Sequence, residues 1–331
     1  MSISMNSQSA LHEVESRCTQ ERPPRCQSLC PLGLDARAFL GHAAEGRWSD
    51  ARKQLERYLP LPGLLARICD HPCEQGCLRG DLGGAVNLHG LEIFCTEHLG
   101  VQTRSLPMPR KQKRIAVIGA GLAGLVCAWD LAGKGYPVTV FHEGEPQAQL
   151  LSCWPVLAGA GAAALDAEWE ALGRRGVHFE QARTDAACLQ QAAGEYDGVL
   201  LDAGALPELA PAESGMDAQI LHWRDNLCCA GWASVTPTGH RFASASRQAG
   251  QGRSAARTLE RLVASVSLTA ARDTDERSLF TELDGIAPVE RVLPVAETYS
   301  EAEARQEAGR CLQCQCLVCV KACVYLQKYK G

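Results

Sequence analysis

The sequence predicts an α/β chain built around a parallel sheet, with a helical region before the sheet and a cysteine-rich tail after it. Three observations predict this. Short apolar runs alternate with helical stretches between residues 114 and 201, the texture of buried parallel strands and their crossovers. A glycine-rich loop, Gly119-Ala120-Gly121-Leu122-Ala123-Gly124, follows the first of those runs. Eleven of the 17 cysteines fall in three tight tracts outside that segment: Cys18/Cys26/Cys30, Cys69/Cys73/Cys77 and Cys311/Cys314/Cys316/Cys319/Cys323.

Taken in order, residues 1 to about 100 read as short helices interrupted by cysteine turns. Asp35–Glu45 and Ser49–Tyr58 carry helical periodicity, with Asp35 and Ser49 as N-caps. A linker rich in proline and basic residues, Gln102–Arg114, leads to the strand Ile115–Ile118. Its basic run reads as a solvated approach to that strand. After the glycine loop a helix runs through Leu131, Gly135-Tyr136 turns the chain, and Val138–Phe141 forms the second strand. Glu168–Arg174 reads as a further helix and Gly198–Leu201 as a further buried strand. The last sixty residues read as irregular and end in the cysteine tail. The expected division is 1–105, 106–270 and 271–331.

A chain of 331 residues supports two or three such units. With 46% hydrophobic and 21% charged residues its composition is ordinary for a globular protein, and a net charge of −5 leaves no footprint for nucleic acid. Met1–Cys18 lacks the apolar core of a signal peptide. The longest apolar stretch, Ile115–Trp129, is too short to span a bilayer and ends at Asp130, so no membrane insertion is expected. The expected location is cytoplasmic, where clustered cysteine points to metal or redox chemistry; a disulfide scaffold is the alternative.

Strand, Gly-x-Gly-x-x-Gly and helix together point to a dinucleotide. Gly119 permits the tight turn, Gly121 lets backbone approach a pyrophosphate, and Gly124 lets helix and strand pack closely. The helix start, beginning beside Ala120, offers amides to the phosphates. An acid after the second strand takes the ribose hydroxyls: Glu143 lies 24 residues after Gly119, and His142 stands just before it. A glycine turn without ligand is the plain alternative.

Tyr196-Asp-Gly-Val-Leu-Leu-Asp-Ala-Gly-Ala205 resembles the Tyr-Asp-x-Val-x-x-Ala-Thr-Gly-Ala strand of two-dinucleotide flavoproteins. Asn226–Gly231 with Ala249–Ala256 resembles their closing segment under the flavin. The resemblance favours FAD over NAD and adds Gly204 and Gly231 to the cofactor residues. The Gly-Gly that follows the ribose acid in those proteins is replaced around Gln147–Gln149, and their closing Gly-Asp is here Gly231-Trp232.

Residues 17–98 resemble the N-terminal iron–sulfur domain shared by the glutamate synthase small subunit, dihydropyrimidine dehydrogenase and the large subunit of NADH-dependent ferredoxin:NADP oxidoreductase. The first tract of that family is Cys-x2-Cys-x4-Cys-x3-Cys-Pro, and its last cysteine serves a different cluster from the others. Glu21 stands where the second cysteine stands. The resemblance therefore implies one cluster held by Cys18, Cys26, Cys77 and Glu21. A second would be held by Cys30, Cys69 and Cys73, with Glu92, in Val86-Asn-Leu-His-Gly-Leu-Glu92, at the place of the non-cysteine ligand. Zinc competes on composition, but spacings of three suit it less well than paired knuckles.

The tail reads two ways. Cys311-x2-Cys314-x4-Cys319-x3-Cys323 repeats the first-tract spacing, and Cys316-x2-Cys319-x3-Cys323 resembles the end of a ferredoxin run. Four of the five thiolates would close one cluster alone, or the last would await ligands from a partner. Cys95, Cys127, Cys153, Cys188, Cys228 and Cys229 lack ligand spacing and read as small buried hydrophobes.

Flavoprotein relatives insert a second nucleotide fold after the strand that ends near Ala205. Here only Leu206–Asp225 occupies that place, too short for a βαβ unit, so the NAD(P)H site reads as deleted. The resemblance implies a helical N-terminal iron–sulfur domain, a truncated FAD-binding Rossmann-like domain and a C-terminal iron–sulfur tail. The cofactors are two N-terminal [4Fe-4S] clusters, one C-terminal cluster, and FAD. No acid–base or nucleophilic constellation is evident. The function so expected is that of an electron-transfer subunit of a larger oxidoreductase, with a ferredoxin-like protein or a catalytic subunit as partner. The rivals are a stand-alone NAD(P)H-dependent enzyme and a non-catalytic cluster module that has lost flavin.

Overall fold

Six short helices occupy the stretch from Arg25 to Leu99: α1 (Arg25–Leu29), α2 (Ala36–Ala44), α3 (Trp48–Tyr58), α4 (Pro62–Ile68), α5 (Pro72–Gln75) and α6 (Leu88–Leu99). The structure is a computed structural model and describes residues 18–19, 22–99, 108–159, 161–217, 219–235, 241–272 and 278–318. Proline opens both α4 and α5, a position where its missing N–H has no intrahelical partner to lose. Asp35 caps α2 as expected, accepting from the Ala38 amide at 3.1 Å. The second expected cap is displaced. Arg47 holds the cap position of α3 and Ser49 lies within the first turn. Trp48 is the reason: it is buried edge-on against Phe94, with ring centroids 4.8 Å apart, and that packing draws it into the helix.

The sheet has the order β3-β2-β1-β4-β6-β5. Its centre is β1 (Ile115–Ile118), paired in parallel with β2 (Val138–His142) and β4 (Gly198–Asp202), so that Ile115 faces Val138 on one side and Gly198 on the other. β3 (Val177–Gln181) extends one side, and β6 (Leu227–Ala230) with its antiparallel edge β5 (His222–Arg224) extends the other. The crossovers carry α7 (Leu122–Ala132), α8 (Ala148–Cys153), α9 (Ala162–Arg174) and α10 (Ala186–Glu195). A small pair, β7 (Ser234–Val235) and β8 (Arg241–Phe242), precedes α11 (Ala245–Val263).

Every residue of β1, β4 and β6 is buried, as expected of strands covered on both faces. Alternation divides them: Ile115 and Val117 join the core beneath α7 and α11, while Ala116 and Ile118 join the core beneath α10. The first of these cores continues without a break into α2, α3, α4 and α6. The helical region and this face of the sheet therefore share one apolar interior.

The reading of the last sixty residues as irregular fails at α12 (Glu301–Gly309). Ser300 and Glu303 form a reciprocal capping box there, a signal present in the sequence as Ser-x-x-Glu. The segment before α12 runs back over the helical region: the Leu279 amide donates to Pro23 O at 2.9 Å and the Val289 amide to Leu82 O at 3.0 Å. Arg310 and Glu307 form an ion pair at 2.7 Å that is almost wholly buried. The guanidinium also donates to Gly83 O and Gly84 O, and the carboxylate accepts from the Asn87 and Val292 amides. With its charges paired and its lone pairs used, this buried group fixes the tail to the loop before α6.

Candidate functional site

Four thiols from three stretches of chain line one pocket. Cys26 comes from α1, Cys77 from the turn after α5, and Cys311 and Cys314 from the segment after α12. Ala36, Leu40, Val86 and Leu88 supply apolar wall. Burial pushes the Cys26 thiol up to about 12, and the neighbouring Cys311, Cys77 and Cys314 push it the same way. Burial likewise raises Cys311 to about 11 and raises Cys314. Such a pocket cannot carry several thiolates unless a cationic centre meets them. Cys18 is exposed and does not line the pocket, and Glu21 lies outside the described residues. Cys316 does not line it either, and Cys319 and Cys323 lie outside the described residues.

The second pocket is lined by Cys30, Cys69, Cys73 and Glu92, the set implied by the resemblance, together with His71 and Ser246. Burial raises all three thiols, and Glu92 adds to the rise. Glu92 is itself buried, at 3% exposure, and its Oε2 lies 3.2 Å from His71 Nε2. His71 Nδ1 approaches Cys69 O at 2.8 Å, and its backbone N–H donates to Cys69 Sγ at 3.4 Å. Burial is the largest single influence and opposes a charge on this ring, but the bond to Glu92, the charges of Glu92 and Glu74 and the Cys69 backbone together outweigh it, and the net direction is upward. His71 is a residue the sequence reading missed, although it lies between two tract cysteines.

Among the described residues no three His, Cys, Asp or Glu side chains converge as ligands of one metal ion. The thiols instead stand around two pockets. Three or four thiols about one pocket are the donor set that an iron–sulfur cluster takes. The residues present fit a cluster in each pocket. Of the cysteines without ligand spacing, Cys95, Cys127, Cys228 and Cys229 are buried, whereas Cys153 and Cys188 are half-buried. Cys228 and Cys229 follow one another along β6 and point into opposite cores, so they are not a redox pair.

β1 delivers the glycine loop to the carboxyl edge of the sheet. Gly119 sits at φ +99°, a conformation that favours glycine. A Cβ on Gly124 would lie 2.8 Å from Gly119 O, so the third glycine does bring helix and strand together. Ala120 is buried within the loop. His142 ends β2 with its ring buried and Nδ1 3.1 Å from Gly144 O, and Glu143 beside it is exposed. Gly204 follows β4 and meets the closing segment: a Cβ there would be 2.8 Å from Gly231 O. Gly231 in turn donates its N–H to Gln251 of α11 at 2.8 Å.

One residue does not suit the loop. Asp202, wholly buried, stands where the flavoprotein strand quoted above has alanine. Its carboxylate accepts from the Gly124 amide at 2.6 Å and from the Gly204 amide at 2.9 Å. A Cβ on Gly121 would meet it at 2.6 Å, so the carboxylate fills the space that the second glycine opens. Burial pushes Asp202 up to about 6 despite these bonds. The glycine frame fits a dinucleotide; the charge of Asp202 opposes its diphosphate.

A cavity of about 390 Å³ at the carboxyl ends of β4 and β6 is lined by Gly204, Trp232, Glu213 and Gln248. A larger one, of about 600 Å³, lies at the amino ends of the strands against Arg110, Arg114, Arg174 and Arg175. Open α/β sheets take their ligands at the carboxyl ends, so the smaller cavity belongs with the loop.

Residues 1–103 match the family described as dihydropyrimidine dehydrogenase domain II, 4Fe-4S cluster, and residues 114–194 match the glucose inhibited division protein A family. The resemblance to the glutamate synthase small-chain family holds. The glutamate synthase [NADPH] small chain of Mycobacterium tuberculosis is 30% identical over 137 residues, covering 40% of this chain and 28% of that protein. The NADPH-Fe(3+) oxidoreductase subunit beta of Geobacter sulfurreducens is 34% identical over 35% of this chain and 18% of its own length. The NADP(+)-dependent formate dehydrogenase subunit beta of Moorella thermoacetica is 32% identical over 35% and 20%. The matched segments thus span less than a third of each of these relatives. Among solved structures, 6-hydroxypseudooxynicotine amine oxidase from Pseudomonas geniculata N1 aligns with a TM-score of 0.22 at 22% identity over 33% of this chain and 17% of that one, too little to bear on the fold. Both expected cofactors, [4Fe-4S] clusters and FAD, are supported by the two family matches. The named relatives are oxidoreductase subunits, which supports an oxidoreductase-type role here. Among the described residues no helix is long and apolar enough to cross a membrane.

Proposed function

We propose that the chain is an electron-transfer subunit of a larger cytoplasmic oxidoreductase complex, passing electrons between [4Fe-4S] clusters and FAD. Its three working parts are residues 1–105, 106–270 and 271–331. Its partners are other redox subunits, a ferredoxin-like protein or a catalytic subunit among them. The observation that carries this reading is the course of α11. Its first turn closes the second thiol pocket through Ser246, and Asp70, next to Cys69, accepts from the Ser246 amide at 2.8 Å and from the Ser244 hydroxyl at 2.9 Å. Less than two turns on, Gln251 holds Gly231, and Gly252 lies so near Ala123 of the glycine loop that a Cβ would clash with its carbonyl. Six helical residues, on the order of 9 Å of rise, thus join a cluster pocket to the dinucleotide loop.

When bound, the clusters and flavin supply the one- and two-electron chemistry. The chain supplies burial, amides donated to sulfur, and an apolar wall, the means by which proteins set cluster potentials. Cys30, Cys69, Cys73 and Glu92 are assigned to the pocket under α11. His142, Glu143, Gly204 and Gly231 are assigned to the FAD site with Gly119, Ala120, Gly121 and Gly124. The buried Asp202 carboxylate favours one alternative, a cluster module whose flavin has been lost. Anaerobic dithionite titration of the full chain tests the choice. Cluster bleaching accompanied by flavin bleaching, with Cys30→Ala slowing electron arrival at the flavin, is the expected result. Clusters without any flavin band support the alternative. Bleaching by NADPH alone would favour a stand-alone enzyme and overturn the subunit reading.

A further inference from the structure

We propose that Cys26, Cys77, Cys311 and Cys314 together ligate one [4Fe-4S] cluster, so that the C-terminal segment supplies two thiolates to the N-terminal cluster. The proposal deepens the iron–sulfur reading and rests on it. The pocket holds four thiols and no carboxylate, and Cys18 is not among its walls. The tail is held there by contacts independent of any metal. Arg37 of α2 donates to Cys314 O at 2.7 Å, Gln313 returns a bond to Arg37 O at 3.1 Å, and Arg79, two residues after Cys77, donates to Arg310 O at 3.0 Å. The buried Arg310–Glu307 pair anchors the same stretch from the other side.

A second observation comes from the backbone. Gln313 adopts φ +47°, and its amide donates to Cys311 Sγ at 3.4 Å. His71, also two residues past a cysteine, adopts φ +44° and donates its amide to Cys69 Sγ at 3.4 Å in the other pocket. A left-handed backbone strains a non-glycine residue. Both pockets accept that strain in the same place and turn an N–H onto a sulfur, as thiolates of a cluster require. The tail therefore carries the same sulfur-binding turn as the tract implied by the family resemblance.

The test uses the full chain purified without oxygen, with iron, acid-labile sulfide and the reduced-state electron paramagnetic resonance spectrum measured for Cys26→Ser, Cys314→Ser, the pair combined, and Cys18→Ser. Each single variant at Cys26 or Cys314 is expected to lose about four iron atoms and one spectral signal, and the combined variant to lose no more. Cys18→Ser is expected to retain all its iron. Additive losses in the combined variant, about eight iron atoms, would mean two separate clusters and overturn the proposal. So would loss of iron on changing Cys18 with Cys314→Ser unaffected. Survival of the Cys30/Cys69/Cys73 signal reports that the fold is intact. If a variant fails to fold, alkylation of the native protein decides the matter. Cys26, Cys77, Cys311 and Cys314 are expected to be protected together and to become labelled together when the cluster is oxidised away, with Cys18 labelled from the start. Labelling of Cys311 or Cys314 from the start would overturn it. A wild-type protein with no sulfide would instead refute the iron–sulfur reading itself.

Discussion

Asp202 shows how one side chain sets the terms of a whole binding site. The Gly-x-Gly-x-x-Gly loop and its helix offer amides to a diphosphate, yet a buried carboxylate already accepts the Gly124 and Gly204 amides. Its folded value of about 6 lies above the ordinary 3.8, so the carboxyl is ionised at pH 7.5 and mostly neutral at pH 5. Like charge is then expected to weaken FAD binding as pH rises through about 6. Asp202→Ala is expected to raise the flavin retained at pH 7.5 severalfold and to remove the pH dependence between 5 and 7.5, as read by fluorescence of released FAD. A variant with unchanged retention would clear Asp202 of this role. Glu168 presents a related case outside the site. Its Oε1 accepts from the Gly63 amide at 2.6 Å, its Oε2 has no partner among the described residues, and burial pushes it up to about 7. An acid whose folded value exceeds its unfolded one favours folding fully below about pH 4.5, and that contribution is lost as pH rises through about 7. Glu168→Gln is expected to flatten the fall in stability between pH 4.5 and 7, by roughly 3 kcal/mol at most, measured by urea melts across that range.

At the scale of elements, α11 is the strut on which the proposed function depends, because it touches a thiol pocket at one end and the glycine loop further along. Its contact with α7 is backbone to side-chain-free backbone at Gly252. Gly252→Val would place carbon against the Ala123 carbonyl, and is expected to cost about 1–3 kcal/mol and to lower flavin retention while leaving the iron content unchanged. Loss of iron together with flavin would show that the helix does not separate the two sites in this way. Most elements were legible from the sequence because periodicity and burial agree in them. The runs at Ile115–Ile118 and Gly198–Leu201 are strands, and Asp35 caps its helix. The α3 cap was misplaced because tertiary burial of Trp48 outweighs the local preference of Ser49. α12 was missed because its apolar face is weak, two alanines and the buried Glu307, although its capping box stood in the sequence.

Across the whole molecule, the tail could not be placed from spacing alone. Cys311 and Cys314 repeat a tract pattern that suggests a cluster of their own, yet the chain returns them to Cys26 and Cys77 across more than two hundred residues. What brings them back is Arg310, Glu307, Arg37 and Arg79, ordinary charged residues whose partners are backbone carbonyls and amides that no motif records. In the second pocket Cys30, Cys69, Cys73 and Glu92 are the residues the family resemblance names, whereas His71 and Ser246, which line it with them, carry no motif that points to the site. The central claim is that these thiols grip inorganic iron and sulfide beside a flavin loop. Quantifying iron, acid-labile sulfide and zinc in the full chain purified without oxygen tests it most directly. The account expects iron and sulfide in equal amounts, about eight of each for the two described pockets, with negligible zinc. A protein holding zinc, or iron without sulfide, would contradict it.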